Sequence, residues 1–259
     1  MTSGGARGSW LFTHGQMFGT FGLSVKAHAS GDLWSSGPRA DNPRMYVPAH
    51  FQATDDEVRD LLRNLGAAEL ITTTGEGLMA TMLPLVYDEG ESRPGLGPWG
   101  ALLGHVARNN GQWRVPAIGE AMVIVRGPDA YISPAWYATK REHGRVVPTW
   151  NYVTAHVHGR LVIHDDPGWV EANVRRLTAK YEASRAEPWS VDDAPRPYVE
   201  GQLKAIVGVE ILIDRVEGKR KLSQNRSDAD IAGAIEGLEE RGEHRVSAAM
   251  RALGRTPPD

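Results

Sequence analysis

Cysteine is absent from the 259-residue chain. This absence excludes disulfide bonds, thiolate nucleophiles, cysteine-ligated zinc and iron–sulfur clusters, and it fits a cytosolic protein. No apolar run is long enough to cross a bilayer, and the N-terminus lacks the charged and apolar segments of a secretory signal. We therefore expect a cytoplasmic protein that neither spans nor binds a membrane.

The chain also has no surplus of positive charge, because it contains 29 Lys and Arg residues and 32 Asp and Glu residues. Its formal net charge is -3. Proteins that grip nucleic acid through their overall field carry a basic surplus or a basic patch. There is no helix-turn-helix pattern, and the C-terminal region mixes Glu239, Glu240 and Glu243 with Arg241 and Arg245. We expect no direct binding of nucleic acid.

Hydrophobic residues make up 41% of the chain, enough for one large domain or two small ones. Residues 1–44 are rich in Gly and Ser and show no helical or strand periodicity, which predicts a flexible N-terminal extension. Ordered patterning begins at Met45. We predict a single domain over residues 45–259 that ends in a C-terminal helix.

Helix and strand patterns follow one another through this domain. Thr54 to Glu57 is a capping box ahead of a helix that Gly66 ends. Gly127-Pro128-Asp129 is predicted to end a strand. Strands are predicted over residues 69–74, 78–87, 99–106, 121–126, 150–163 and 207–213, and further helices after Asp166, around 198–204 and after Ser227. Several antiparallel strands in succession favour a barrel.

The strand over residues 150–163 has the clearest alternation of apolar and polar residues. Ala155 and Val157 fall on the core face, and Tyr152, His156 and His158 fall on the other. Two histidines on one strand face have the geometry of a metal pair, but no third ligand of matching spacing is evident. A partly exposed histidine pair is the commoner case, so we predict no metal site.

Aromatic side chains, hydroxyls and one cation crowd between Tyr131 and Tyr152. A flavin mononucleotide (FMN) needs walls for a planar ring and donors for a phosphate dianion. Trp136, Tyr137 and Trp150 are candidate walls, and Ser133, Thr149 and Lys140 are candidate phosphate contacts. The same residues are explained equally well as ordinary half-buried aromatic residues at strand ends, with no cofactor. Composition alone leaves both readings open.

Six separated segments together resemble the PaiB-type FMN-binding proteins, described as negative transcriptional regulators. These proteins are built on the split barrel of pyridoxamine-phosphate-oxidase-like flavoproteins. The matching segments are residues 45–51, 80–85, 104–113, 127–137, 147–159 and 221–226. The resemblance implies an α+β, mainly β protein, an antiparallel split β-barrel with peripheral helices.

The resemblance also implies a homodimer with FMN at the subunit interface. His105 and Arg108 would lie near the phosphate or ribityl chain, and Ser133 and Lys140 resemble the superfamily's phosphate ligands. The full set of implied cofactor-binding residues is Thr81, Met82, Leu83, Pro84, His105, Arg108, Asn110, Gln112, Ser133, Trp136, Lys140, Thr149, Trp150, Asn151, Lys221, Gln224, Asn225 and Arg226.

Activity is predicted less sharply than the family, because a flavin carries its own chemistry and needs little from the protein beyond binding and orientation. We favour an FMN-dependent oxidoreductase acting on a nicotinamide or small molecule, with His105 or Tyr137 as proton donor. The alternative is a flavin-responsive negative transcriptional regulator without turnover. Haem or F420 as cofactor, and recruitment to a biosynthetic pathway, are further alternatives.

Overall fold

The computed structural model describes residues 44–90 and 96–253. The predicted N-terminal extension, residues 1–44, lies outside the described residues except for Arg44. None of the described helices has the length and apolar character needed to cross a bilayer.

Six β-strands and six α-helices make up the described ranges, together with short 3₁₀ helices. The strands are β1 (Ala67–Thr74), β2 (Gly77–Asp88), β3 (Ala101–Ala107), β4 (Ala121–Ile132), β5 (Thr149–His164) and β6 (Ile206–Lys221). The helices are α1 (Asp55–Arg63), α2 (Thr139–His143), α3 (Pro167–Glu182), α4 (Arg196–Leu203), α5 (Asp228–Glu240) and α6 (His244–Arg251). The 3₁₀ helices are Ala49–Phe51, Gly111–Trp113, Pro134–Trp136 and Val191–Asp193.

All strand pairs are antiparallel, and the sheet closes on itself in the order β1-β2-β3-β6-β5-β4. Because side chains alternate along a strand, every second residue points into the ring. The buried inner residues include Leu70, Leu83, Leu85, Leu102, Val123, Val157, Val209 and Ile211. The predicted fold class, an α+β, mainly β antiparallel split barrel with peripheral helices, is confirmed.

Helix α1 begins where the sequence predicts. Thr54 accepts a hydrogen bond from the Glu57 amide at 3.3 Å, and the Glu57 carboxylate accepts one from the Thr54 amide at 2.9 Å. Val58 and Leu62 are buried in the same cluster as the inner strand residues. The helix thereby contributes its apolar face to the barrel core.

Strand β4 does not end at Gly127-Pro128-Asp129, so that prediction was wrong. The pairing of β4 with β5 breaks after Arg126 and resumes at Asp129, which is opposite Tyr152. Turn-forming residues are also the residues of β-bulges, and a bulge bends a strand without ending it. Strand β4 therefore continues to Ile132 and carries Tyr131 alongside Trp150.

The ends of β4, β5 and β6 extend past the barrel and carry a second core. Helices α5 and α6 pack there, burying Ile132, Tyr137 and Leu222 together with Leu238 and Met250. Ser227 caps α5 by accepting a hydrogen bond from the Asp230 amide at 3.2 Å, as predicted. The sequence predicted a single C-terminal helix, so α6 was not predicted as a separate helix. Its Val246 and Met250 are in fact buried.

Helices α3 and α4 cover a different side of the barrel. Val170, Val199 and Leu203 form a third buried cluster with Val191. The Trp169 ring stacks on the His164 ring at 3.9 Å and lies against the backbone of Gly208, where a Cβ atom would come within 2.3 Å of it. This side of β3 and β6 is therefore closed by helices, in contrast to the opposite side.

Candidate functional site

The outward side chains of β1, β2, β4, β5 and β6 form a continuous surface, here termed the outer sheet face. One row across it runs from Met82 through Glu69, Ile124 and His156 to Glu217, each residue directly opposite the next. The face includes Glu69, Ile71, Leu78, Ala80, Met82, Met122, Ile124, Arg126, Trp150, Tyr152, Thr154, His156, His158, Arg215, Glu217, Lys219 and Lys221. Helices α3 and α4 pack on β2, β3 and the first half of β6, and the backbone of Met45 and Tyr46 contacts Glu217 and Lys219 on this face.

Large apolar side chains are exposed at the β2 edge of this face. Leu78 is 76% exposed and Met82 is 71% exposed, and nearby Ile118, whose amide bonds to the Thr73 carbonyl, is 48% exposed. Neighbouring apolar residues that water contacts in this way mark a surface suited to a ligand or a second protein chain.

A groove of about 290 Å³ crosses the outer sheet face between β4 and β5. It is lined by Ile124, Arg126, Asp129, Trp150, Tyr152, Val153 and Thr154. The Trp150 indole N–H donates to the Asp129 carboxylate at 2.8 Å, and Tyr131 meets the Trp150 ring edge-on at a centroid distance of 6.3 Å. These contacts fix the orientation of a tryptophan that stays half exposed.

Two lysines stand beside this groove on β6, and we call Lys219 and Lys221 the cationic end. The Lys221 ammonium donates to the Thr149 hydroxyl and to the Trp150 carbonyl, the latter at 2.6 Å. The Lys219 ammonium donates to the Tyr46 carbonyl at 2.8 Å and lies 5.5 Å from the centre of the Tyr152 ring. All these partners are neutral.

The pKa of Lys221 is lowered, first by burial and then by the positive charges of Lys219 and Arg226. A concentration of like charge in a partly buried place is costly unless an anion joins it. The cationic end is therefore a suitable place for a phosphate.

Asn151, Ser223 and Gln224 form the support beneath the cationic end. The Asn151 amide donates to the Ser223 hydroxyl at 3.0 Å, and both residues are buried. Ser223 has a φ of 67°, and Gln224 bridges the tight turn by accepting from the Leu222 amide and donating to the Arg220 carbonyl. These side chains hold the β6–α5 connection in place.

Arg226 and Asn225 complete the predicted 221–226 segment. The Arg226 guanidinium lies over the Tyr137 ring, 4.8 Å from its centre, and Asn225 is exposed. Tyr137 itself is 1% exposed, and its hydroxyl has no hydrogen-bond partner among the described residues. Tyr137 is a core residue in one copy of the chain, away from the groove.

His105 lies on β3 opposite Gly208, near the start of β6, whereas the cationic end is at the other end of that strand. It shares a cavity of about 290 Å³ with Pro84, Leu177, Tyr181 and Trp189, between β3 and α3. Burial lowers the pKa of His105, and its Nδ1 atom has no hydrogen-bond partner in the described chain. Burial therefore favours the neutral form of this imidazole.

A hydrogen-bonded group at one end of the barrel contains Thr81, Asn110 and Gln112. The Asn110 amide donates to the Thr81 hydroxyl at 3.0 Å. The buried Gln112 amide donates to the Leu70 carbonyl at 3.1 Å and to the Thr72 hydroxyl at 3.0 Å. These side chains make hydrogen bonds to the strands and to one another, and these bonds explain their positions without a ligand.

Arg108 is held by an ion pair and by backbone carbonyls. Its guanidinium contacts the Asp165 carboxylate at 2.6 Å and the Lys204 carbonyl at 2.7 Å. It lines a cavity of about 540 Å³ beside α3 and α4. That cavity is separate from the outer sheet face.

Ser133, Trp136 and Lys140 follow the end of β4. Ser133 caps a 3₁₀ helix by accepting from the Ala135 amide at 3.2 Å. The Trp136 ring packs on α5 at Gly237, and Lys140 is exposed on α2. None of the three lines the groove.

The predicted site residues are thus brought together only in part. Thr149, Trp150 and Lys221 meet at the cationic end, and Met82 shares the outer sheet face with them. Leu83 points into the core and Pro84 lies under α3. Sequence reasoning missed Arg126, Asp129, Tyr152 and Lys219. The alternation that placed Tyr152 opposite the core face was the available signal, and Lys219, two residues before Lys221, shares its face.

Three side chains of the kinds that bind metal ions also lie close together on this face, beside the groove. The ligand atoms of His156, His158 and Glu217 all lie within 4.8 Å of one another. Burial lowers the pKa of both histidines, and Glu217 partly opposes this effect. Sequence spacing did not reveal Glu217 because it reaches the histidines only through the β5–β6 pairing.

Comparison with known proteins gives a consistent family. Residues 45–215 match the family described as "Putative FMN-binding domain". Protease synthase and sporulation protein PAI 2 of Bacillus subtilis (strain 168) is 32% identical over 197 residues, covering 75% of this chain and 89% of the relative. An uncharacterized protein of Emericella nidulans is 32% identical over 230 residues, covering 76% and 92%.

Among solved structures, a conserved hypothetical protein of Mycobacterium tuberculosis has a TM-score of 0.47 at 12% identity, covering 70% of this chain and 92% of the other. That similarity is too low to bear on site or function. The description of the matching family agrees with FMN, the cofactor predicted from sequence.

Proposed function

The chain belongs to the PaiB-type FMN-binding family, and from this premise we propose that it is a flavin-dependent redox protein acting on a nicotinamide or another small molecule. We place the FMN on the outer sheet face. The observation that carries this proposal is the cationic end beside the aromatic groove, where the hydrogen-bond partners of both lysines within residues 44–90 and 96–253 are neutral.

The cationic end fits the FMN phosphate. Lys219 and Lys221 supply two ammonium groups, and Thr149 supplies a hydroxyl that already accepts from Lys221. Hydrogen bonds between charged donors and phosphate oxygens are about twice as strong as neutral ones. Lowered solvent access around Lys221 strengthens them further, because the local dielectric falls.

The groove fits the planar ring. Trp150 and Tyr152 offer aromatic surface, Ile124 offers an aliphatic floor, and Arg126 and Asp129 offer polar groups at one side. Sites for flat cofactors combine apolar walls with a few placed polar groups in this way. The Arg126 guanidinium donates to the Glu69 carboxylate at 2.9 Å.

Bound FMN supplies hydride chemistry, and the chain's residues supply binding and orientation. Asp129 orients Trp150, and Thr149 with Trp150 orients Lys221. The two predicted proton donors do not line the groove in one copy of the chain, since His105 is under α3 and Tyr137 is in the second core. We therefore assign no proton donor to the outer sheet face.

We further propose that a second copy of the chain covers part of the outer sheet face. Leu78 and Met82 support this, because two large apolar side chains more than 70% exposed on one strand are unusual for a surface that stays in water. A second copy would also exclude water from the groove, which a redox cofactor requires to avoid side reactions.

Anaerobic reduction tests the redox proposal. Protein loaded with FMN is mixed with NADH or NADPH, and the loss of flavin absorbance is followed in time. We expect bleaching faster than for free FMN at the same concentration. A rate equal to that of free FMN with both nucleotides and with a panel of small reductants would contradict the redox role.

A regulator without turnover is the second candidate. It is favoured by one observation, the name of the Bacillus subtilis relative, "Protease synthase and sporulation protein PAI 2", which links that relative to sporulation. A DNA mobility shift that survives moderate salt would support it, since a non-specific electrostatic complex weakens steeply there.

A further inference from the structure

We propose that His156, His158 and Glu217 form a binding site for a divalent transition metal of the Zn²⁺ class. The site lies on the outer sheet face and is separate from the cationic end, whose nearest lysine is two residues further along β6. It goes beyond the flavin function proposed above and does not depend on it.

The backbone brings the three side chains together. His156 and Glu217 are directly opposite each other on β5 and β6, and such cross-strand pairs have Cβ atoms about 5 Å apart. His158 is on the same face two residues along, with its Nε2 atom 4.0 Å from the Glu217 carboxylate. Both strands belong to the closed barrel, so the positions are set by the most heavily paired part of the fold.

The distances are close to those of a loaded site. The three ligand atoms lie within 4.8 Å of one another, whereas ligand atoms around a tetrahedral zinc ion are about 3.4 Å apart. The difference is at most about 1.4 Å, which side-chain torsions alone can close. The Nε2 atom of His158 is buried and has no hydrogen-bond partner among the described residues, so in the tautomer with the proton on Nδ1 its lone pair is available to a metal ion.

The ligand set selects the class of metal. Two imidazoles and one carboxylate suit Zn²⁺, which has no geometric preference of its own and accepts positions fixed by two strands. Calcium and magnesium prefer oxygen ligands throughout. Three protein ligands leave at least one position open for water or a small molecule.

Arg215 is the competing cation at this site. Its guanidinium bonds to Glu217 and lies 3.4 Å from the Glu120 carboxylate. A metal ion must therefore take one Glu217 oxygen from Arg215, while the other oxygen accepts from the Met45 amide at 2.7 Å. Glu120 can keep Arg215 when the metal arrives, and replacing Arg215 should favour metal binding.

The test measures Zn²⁺ binding by calorimetry on the untagged full chain after chelator dialysis, with Co²⁺ absorption as a spectroscopic probe. We expect one site per chain, a loss of at least tenfold in affinity for His156→Asn/His158→Asn, and a smaller loss for Glu217→Gln. Arg215→Gln should bind at least threefold more tightly. His143→Asn, at an exposed histidine of α2, is the matched control and should bind as the parent does.

NMR of the unmodified chain provides a measurement independent of any variant. The chain has nine histidines, and one equivalent of Zn²⁺ should shift the imidazole signals of His156 and His158 first. Unchanged affinity in the double Asn variant would overturn the proposal. First shifts at other histidines would overturn it as well.

Discussion

Lys221 differs from the surface arginines in the charge of its hydrogen-bond partners. Arg108, Arg175 and Arg196 each hold a carboxylate within 3 Å, and exposed pairs of this kind contribute little to stability. Lys221 donates to a hydroxyl and a carbonyl instead. Because neutral dipoles leave its net charge in place, we assign anion binding to Lys221 and a structural role to Arg108.

His105 gives a pH prediction at the residue scale. Burial lowers its pKa in the folded chain, so the unfolded chain binds a proton at a higher pH than the folded chain does. Stability is therefore full above the ordinary histidine pKa of about 6.5 and falls as pH drops below it. We expect His105→Gln to lose less stability than the parent between pH values of about 7.5 and 5.5.

Urea unfolding at a series of pH values measures this difference. Other buried histidines contribute equally to the parent and the variant, so the difference between the two curves isolates His105. Parallel curves would show that His105 is not held neutral by burial.

Matching segments alone could not predict which residues contact a cofactor, because neighbouring residues of a strand point to opposite faces. Thr81, Met82, Leu83 and Pro84 are consecutive on β2, and a strand sends neighbours to opposite faces. Met82 reaches the outer sheet face while Leu83 enters the core. A matching segment identifies which strand is near a cofactor, but the phase of the strand decides which side chains can touch it.

At the scale of elements, local patterns predicted what local interactions determine. The capping box of α1 and the strands predicted over residues 69–74 and 78–87 depend on neighbours in sequence, and all of them form as predicted. The continuation of β4 through its bulge depends on pairing with β5, and the burial of α6 depends on packing against Asn151 and the second core. Neither interaction leaves a local signal in the sequence.

Two glycines in helices test the packing of α5 against Trp136. A Cβ atom at Gly237 would come within 2.4 Å of the Trp136 ring, whereas one at Gly201 in α4 meets no atom within 4 Å. We expect Gly237→Ala to lower the free energy of unfolding by about 1–3 kcal/mol through overpacking. Gly201→Ala should raise it by about 0.5–1 kcal/mol, because alanine favours a helix.

Denaturant unfolding of the parent and the two variants measures whether each substitution raises or lowers the free energy of unfolding. The substitution is the same in both, so helix propensity cancels in the comparison. Stabilisation by Gly237→Ala would mean that Trp136 does not pack on α5 as described.

At the scale of the whole molecule, five strands contribute to the outer sheet face, whereas α3 and α4 pack on β2, β3 and the first half of β6. This asymmetry underlies the proposed dimer, because Leu78 and Met82 lie at the edge of the outer sheet face. A charge placed there would be desolvated on association, at a cost that raises the dissociation constant.

Met82→Glu tests the dimer by analytical ultracentrifugation. We expect a dimer for the parent and a dissociation constant at least about tenfold higher for the variant. Tyr198→Glu is the control, since Tyr198 on α4 is 62% exposed and away from the outer sheet face. A monomeric parent would contradict the proposed dimer, and equal weakening by both variants would contradict its location.

The most direct test of the account compares FMN with riboflavin, which lacks the phosphate, in binding to the parent, Lys221→Gln and Lys140→Gln. Hydrogen bonds to charged groups contribute about 1.5–3 kcal/mol, so Lys221→Gln should weaken FMN binding roughly 10- to 150-fold. Riboflavin affinity should stay unchanged in Lys221→Gln, and Lys140→Gln should bind both ligands as the parent does. Loss of FMN affinity in Lys140→Gln with full affinity in Lys221→Gln would contradict the placement of FMN at the cationic end.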